Sequence, residues 1–268
     1  MTLRDQHVLI TGGSSGIGLE LARQAAAAGA RVSLIARGPA KLALAREAVG
    51  GVTFTAVADV GVEAHVTEAI RAAEQTHGPV DVLMTSAGVA EPGYFADLPT
   101  AAFERAMAVN YFGTLYALKA VVPAMRQRGR GAVVLVSSGA GLHGFFGYTA
   151  YGPSKFALRG LAESLRAELN GTGVHVMIVY PPDTDTPQLA TENRTKPLET
   201  KAITAGGGLW TAEAIARATM AGLAKRRFAL TPGAPLTALC WLSSLLAPLL
   251  FWHFDRLARK ARGRTGKD

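Results

Sequence analysis

"HVLITGGSSGIG", residues 7–18, joins an apolar run to a glycine-rich loop, and the reading of that junction decides the fold. "HVLIT" has the unbroken apolar character of a strand buried on both faces. A helical pattern follows from Gly16 to Ala28 and closes at Gly29, a residue suited to a helix C-cap. A glycine loop at the carboxyl end of a buried strand, opening a helix, is the context in which backbone can cradle phosphate. Gly12 permits the turn, Gly16 lets the backbone approach a pyrophosphate, and Gly18 allows close helix–strand packing. Ser14, Ser15 and Ile17 complete the loop, and the helix N-terminus supplies amide donors and positive dipole. The spacing is GxxxGxG, not GxGxxG. A plain tight turn would use the same glycines, so other residues must support the reading.

Outward from this junction, strand-like and helix-like segments alternate to about Thr231. Helices are expected over 39–49, 62–77, 99–128, 150–170 and 211–226, and strands over 31–36, 52–58, 80–86, 131–137 and 174–180, with a short last strand in "FALT". Such alternation implies parallel strands joined by right-handed crossovers, with ligands at the strand carboxyl ends. The expected fold is α/β: a doubly wound sheet of about seven parallel strands with helices on both faces, plus a C-terminal apolar helix. Residues 1–232 form one domain, with an irregular lid over 181–209, and 233–268 an appendage. No linker, repeat or low-complexity tract divides the 268 residues.

Composition narrows the setting. Cys240 is the only cysteine, which excludes an internal disulfide, and no His/Cys spacing suits a metal. No signal-like segment precedes "QHVLITGG", so a reducing, cytoplasmic location is expected. The net charge of +8 is uneven: half of it lies in Asp255–Asp268, in Arg256, Arg259, Lys260, Arg262, Arg264 and Lys267 against two acids. A local basic patch fits an anionic surface better than base readout, so no nucleic-acid partner is expected. The Ala/Arg-rich composition hints at a bacterial source.

The second strand carries a preference for one dinucleotide. A carboxylate at its end would take the ribose hydroxyls of NAD; here Ala36 occupies that place and Arg37 follows. A guanidinium there, with Lys41 nearby, fits the 2′-phosphate of NADP(H), although Arg37 could equally be an ordinary solvated residue. Asp59 and Val60, after the third strand, are candidates for the adenine, and Asp59 could instead cap a helix.

"SSGAGLHGFFGYTAYGPSK" (137–155) sets Ser138 at a strand end and Tyr151 and Lys155 one turn apart on a helix. The i,i+4 spacing puts phenol and ammonium on one face, where the cation can lower the phenol's pKa. With TGxxxGIG, a lone Asn110 in "VNYFG", Ser138 and YxxxK, the chain resembles the short-chain dehydrogenase/reductases, Rossmann-fold enzymes, over residues 7–231. The resemblance implies that Tyr151 donates a proton to a ketone and Ser138 holds its oxygen. It also implies that Lys155 binds the nicotinamide ribose and tunes Tyr151, and that Asn110 orders the water of a proton relay. By the same resemblance Ala87 and Gly88 would contact the cofactor through backbone, and Pro181, Thr184 and Thr186 would lie beside the nicotinamide. The family's usual NNAG stands here as "TSAG"; the hydroxyls of Thr85 and Ser86 are expected to do part of the asparagines' hydrogen bonding.

The lid "YPPDTDTPQLATENRTKPLETK" (180–201) is similar to that of 3-ketodihydrosphingosine reductases, a branch of the same family. That likeness implies NADPH-dependent reduction of 3-ketosphinganine. Other short-chain reductases acting on a steroid or 3-oxoacyl compound, and a non-catalytic nucleotide-binding scaffold, remain alternatives. Asp183, Asp185 and Glu192 are the candidates for the substrate's ammonium, with capping of the lid helix the plainer role of the two aspartates. "LTALCWLSSLLAPLLFWHF" (236–254) has nineteen residues without a formal charge. Its basic flanks oppose a simple crossing, and Pro248 disturbs a continuous helix. An interfacial or re-entrant anchor is expected, with Trp241 and Trp252 at headgroup depth, on the cytoplasmic side of a bacterial inner membrane. A helix covering the substrate channel or a subunit interface is the other reading. The family resemblance implies a homodimer or homotetramer built near 99–128 and 150–170.

Overall fold

The structure, a computed structural model, describes residues 2–263. Seven parallel strands form one sheet: β1 (His7–Thr11), β2 (Arg31–Ala36), β3 (Thr53–Val57), β4 (Val82–Thr85), β5 (Gly131–Val136), β6 (Val174–Val179) and β9 (Ala229–Leu230). Their order is β3-β2-β1-β4-β5-β6-β9, which reverses direction beside β1. Such a reversal opens a crevice at the carboxyl ends of β1 and β4.

Side-chain alternation explains the two covered faces. Leu9, Ile35, Leu83, Val133 and Ile178 point to one side and pack with α3 (Glu63–His77), α5 (Gly113–Arg128) and α6 (Tyr151–Glu168). Val8, Ile10, Leu34, Met84, Val134 and Met177 point to the other, against α1 (Gly16–Ala27), α2 (Pro39–Val49) and α9 (Ala212–Ala224). The expected helix over 99–128 is not uniform: α4 (Thr100–Ala106) passes into a π-helical turn, Met107–Phe112, before α5.

The segment 181–209 is more ordered than its sequence suggests. β7 (Thr184–Asp185) pairs in parallel with β8 (Trp210–Thr211), and between them lie α7 (Pro187–Glu192) and α8 (Leu198–Thr204). The side chain of Thr186 caps α7, accepting from the Leu189 N–H, so neither Asp183 nor Asp185 has that role.

The expected single C-terminal apolar helix is instead two: α10 (Ala234–Leu242) and α11 (Ala247–Gly263). Pro248 falls in the first turn of α11, where its missing N–H costs nothing. α11 packs against α8, and Phe254 meets the rings of His143 and Phe145. Arg262 pairs with Glu199 of α8 at 2.9 Å. Among the described residues no helix is long and apolar enough to cross a membrane. Arg264 and Lys267 of the basic tail lie outside the described residues.

Candidate active site

One cavity of about 1140 Å³ runs along the carboxyl ends of the strands. It begins at the loop Ser14–Ile17 and the edge formed by Arg37 and Lys41. It continues past Val60, Ala87 and Gly88 to Ser138, Tyr151 and Lys155, and ends among residues of α7, α10 and α11.

Glycine is required where these walls meet. Gly12 has φ +71°, and a Cβ there would stand 2.6 Å from the backbone of Ala87. At Gly16 a Cβ would press on Thr186 at 3.0 Å, so the phosphate loop and the lid touch. At Gly88 a Cβ would enter a hollow bounded by Asn110 Oδ1 at 3.3 Å, Lys155 Nζ at 3.6 Å and Gln188 Oε1 at 3.9 Å. The first turn of α1 has no side-chain cap, which leaves its amides for an anion. This donor set fits a dinucleotide: amides and hydroxyls at one end, a cation and acceptors around a small hollow at the other. Arg37 and Lys41 are both exposed at the rim. Pro181, Thr184 and Thr186 also line the cavity, the Thr184 hydroxyl donating to Pro182 O at 2.9 Å.

Asp59 does not join them. Its carboxylate accepts the Gly61 N–H at 3.0 Å, and it neither lines the cavity nor caps α3, whose N-cap is Val62. Gly18 lies beneath the loop, packed on Gly12 O, outside the cavity wall.

The catalytic candidates converge from three elements. Tyr151 and Lys155 begin α6, and Lys155 Nζ sits 5.6 Å from the Tyr151 ring centroid while donating to Val136 O at 3.1 Å. Ser138 follows β5 and accepts the Ala140 N–H at 3.2 Å. Burial, then the nearby Glu192 charge, pushes the Tyr151 phenol above its ordinary range, against a hydrogen bond from Ser138. The phenol is therefore protonated, as a donor must be. Burial lowers the Lys155 ammonium to about 8, with Glu192 opposing.

The Asn110 side chain makes three hydrogen bonds. Its amide nitrogen donates to Val89 O at 3.0 Å and Ser154 Oγ at 2.8 Å, and its Oδ1 accepts the Val89 N–H at 2.8 Å. It clamps the loop after β4 to α6, with one acceptor site left on Oδ1, which faces the hollow beside Gly88. Thr85 does not replace the asparagine it stands for, because its buried hydroxyl has no hydrogen-bond partner among the described residues. Ser86 lines the cavity.

The lid acids separate by position. Asp185 is exposed and away from the cavity. Asp183 lines it but is held by Lys196 Nζ at 3.1 Å and the Thr204 hydroxyl at 2.8 Å. Glu192 lines it and is buried, accepting from the Tyr148 hydroxyl at 3.0 Å and from Gln188 Nε2 at 2.9 Å. Burial raises both the Glu192 carboxyl and the Tyr148 phenol. Sequence reading missed Tyr148, Gln188 and the wall of Leu236, Leu239, Leu246 and Leu250, and also Lys196, which holds Asp183. The phenol repeat in "GYTAY" is a usable signal for the first of these; the pairings across the lid left none.

The profile of the short chain dehydrogenase family matches residues 6–197. A 3-ketodihydrosphingosine reductase of Bos taurus is 40% identical over 257 residues, spanning 93% of this chain and 77% of the bovine one. A 3-dehydrosphinganine reductase of Danio rerio is 43% identical over 225 residues, spanning 81% and 68%. An actinorhodin polyketide ketoreductase solved with NADPH superposes with a TM-score of 0.78 at 27% identity, covering 86% of this chain and 97% of its own. With a seven-stranded parallel sheet and a dinucleotide crevice that ends at a buried tyrosine and lysine, the chain belongs to the short-chain dehydrogenase/reductase family, as an oxidoreductase dependent on a nicotinamide nucleotide.

Proposed function

We propose that this enzyme reduces the ketone of 3-ketosphinganine to the alcohol of sphinganine, using NADPH. The observation that carries the lipid reading is the continuity of the cavity: from Tyr151 it passes directly into an apolar arm walled by Leu236, Leu239, Leu246 and Leu250. An alkyl chain fills such an arm while its polar head stays at the phenol. The names borne by the bovine and zebrafish relatives support the same substrate.

When bound, the reduced nicotinamide supplies the hydride that ends on the ketone carbon. Ser138 holds the ketone oxygen by hydrogen bonding, and the Tyr151 phenol gives that oxygen its proton. Lys155, fixed to Val136 O, holds the ribose side and favours the phenolate left on Tyr151. Arg37 and Lys41 support the choice of NADPH, since two cations at the rim favour a 2′-phosphate and no acid follows β2.

The same proposal places the enzyme on the cytoplasmic face of a membrane, peripherally or monotopically. Trp241 is 80% exposed, Leu245 78% and Leu249 63%, and Arg256, Arg259 and Lys260 follow along α11. An apolar face beside exposed cations suits an anionic lipid surface. Self-association along α5 and α6, as a dimer or tetramer, is supported by the exposed Phe112 and Phe156 near them.

NADPH oxidation should be followed with 3-ketosphinganine beside a 3-oxoacyl thioester and a steroid ketone. The expected result is a kcat/KM for 3-ketosphinganine roughly tenfold or more above the others. A thioester reduced equally well would overturn the substrate assignment. Flotation with anionic against neutral vesicles checks the surface, and equal binding to both would sink its electrostatic part.

A further inference from the structure

Of the three carboxylates that the lid turns inward or half inward, two are ion-paired and one is not. Asp183 pairs with Lys196 at 3.1 Å and Glu199 with Arg262 at 2.9 Å. Glu192, 7% exposed, forms no ion pair among the described residues; its hydrogen-bond donors, Tyr148 and Gln188, are neutral, and Lys196 and Lys155 act on it only through space, bonded instead to Asp183 and Val136 O. Burying a carboxylate against neutral donors is costly, and a lid that needed only packing would be served as well by glutamine. Each carboxylate oxygen keeps a further acceptor site beyond the one bond it makes here.

Position adds a second argument. Glu192 lines the cavity with Tyr148 and Tyr151, whose rings stand 5.3 Å apart between centroids. The unmatched carboxylate is thus one ring away from the proton donor. In a 2-amino ketone the nitrogen sits on the carbon next to the carbonyl, so a ketone held at Tyr151 carries its ammonium into the same short span. Lys196, 5.7 Å from the Tyr148 ring centroid, is already held by Asp183.

We propose that Glu192 is the recognition site for a substrate ammonium, making the lid a charge filter that separates 2-amino ketones from neutral long-chain ketones. The inference rests on the amino-ketone reading above and names its specificity residue. Tyr148 and Gln188 each donate one hydrogen bond to the carboxylate.

The test compares kcat/KM for 3-ketosphinganine and for its analogue lacking only the amino group, in the full-length enzyme with NADPH. Wild-type enzyme should favour the amine by about 100-fold, and Glu192→Gln should reduce that preference to a few-fold. Glu192→Asp, which keeps the charge, should recover part of it, and Tyr148→Phe, which keeps the carboxylate, should retain most of it. A wild-type enzyme that treats the two ketones alike overturns this proposal and leaves the lipid-ketone reading standing; one that reduces neither overturns both. A preference that survives Glu192→Gln, or that Tyr148→Phe abolishes as completely, also overturns the filter. The wild-type ratio needs no variant to fold.

Discussion

At one end of the cavity, Ser14–Ile17 and Ala87–Gly88 present mainly backbone, and their shape follows from strand ends and glycine. At the other, Tyr148, Asp183, Gln188, Glu192 and the leucines of α10 and α11 present side chains, held by pairings across short helices. Backbone amides serve any dinucleotide, so the first end can be shared throughout a family. The second end carries the particular substrate, because only side chains distinguish an alkyl ammonium from a thioester.

Between the two ends stands Tyr151, and its removal should give the largest effect. Tyr151→Phe is expected to lower kcat for ketone reduction by about 10³-fold while dinucleotide affinity, read by nicotinamide fluorescence, changes little. A variant that kept full activity would remove the phenol from the mechanism. At the backbone end, Arg37→Asp should cut kcat/KM for NADPH by about 100-fold and that for NADH far less, seen in paired oxidation assays. Equal losses with both cofactors would mean that Arg37 reads no 2′-phosphate.

At the side-chain end, Lys196→Met leaves Asp183 without its cation. Discounted for the partial exposure of Asp183, the cost is about 2 kcal/mol, read as a fall in Tm of several degrees. KM for the ketone should rise severalfold while dinucleotide affinity holds. If both affinities fell together, the two ends would not be separable. The smallest expected effect lies away from both. His7 Nδ1 donates to Gly78 O and Nε2 accepts from the Ser33 hydroxyl, and burial lowers its pKa to about 4. Between that value and 6.5 the unfolded chain binds the extra proton, so this stability is present above about pH 6.5 and is lost as pH falls towards 4. Thermal melts should show the loss, with a shallower slope in His7→Gln and unchanged kinetics at pH 7.5, a value chosen as roughly one unit above the ordinary histidine pKa.

The same contrast decides what was legible in the sequence. The phosphate loop, the Tyr151–Lys155 turn and the alternating strands are local patterns, readable from spacing within a few residues. The lid's bonds are not local: Tyr148 and Glu192 are 44 residues apart, and Arg262 and Glu199 are 63. Nothing in "TENRTK" marks Lys196 as buried or Glu192 as unmatched. The tail failed differently. Its nineteen uncharged residues read as one apolar helix, but the chain turns at Ser243–Leu246 and folds back over the cavity, dividing leucines between a buried and an exposed face. Thr85 was misjudged because a hydroxyl's donor and acceptor count says nothing of whether a partner is within reach.

The π-helical turn at Met107–Phe112 has a consequence for the rotation of the helix it interrupts. Continued at 100° per residue from the stripe of Ala117, Leu118, Val121 and Met125, an unbroken α-helix would carry the buried Ala102 and Ala106 about 95° away from that stripe. One extra residue in the turn delays the rotation by about 100° and returns both alanines to the same side. The turn acts as a phase correction. Deleting a single residue there would leave a better α-helix and a worse enzyme, since α4 would swing its charged face inward beside the Asn110 clamp.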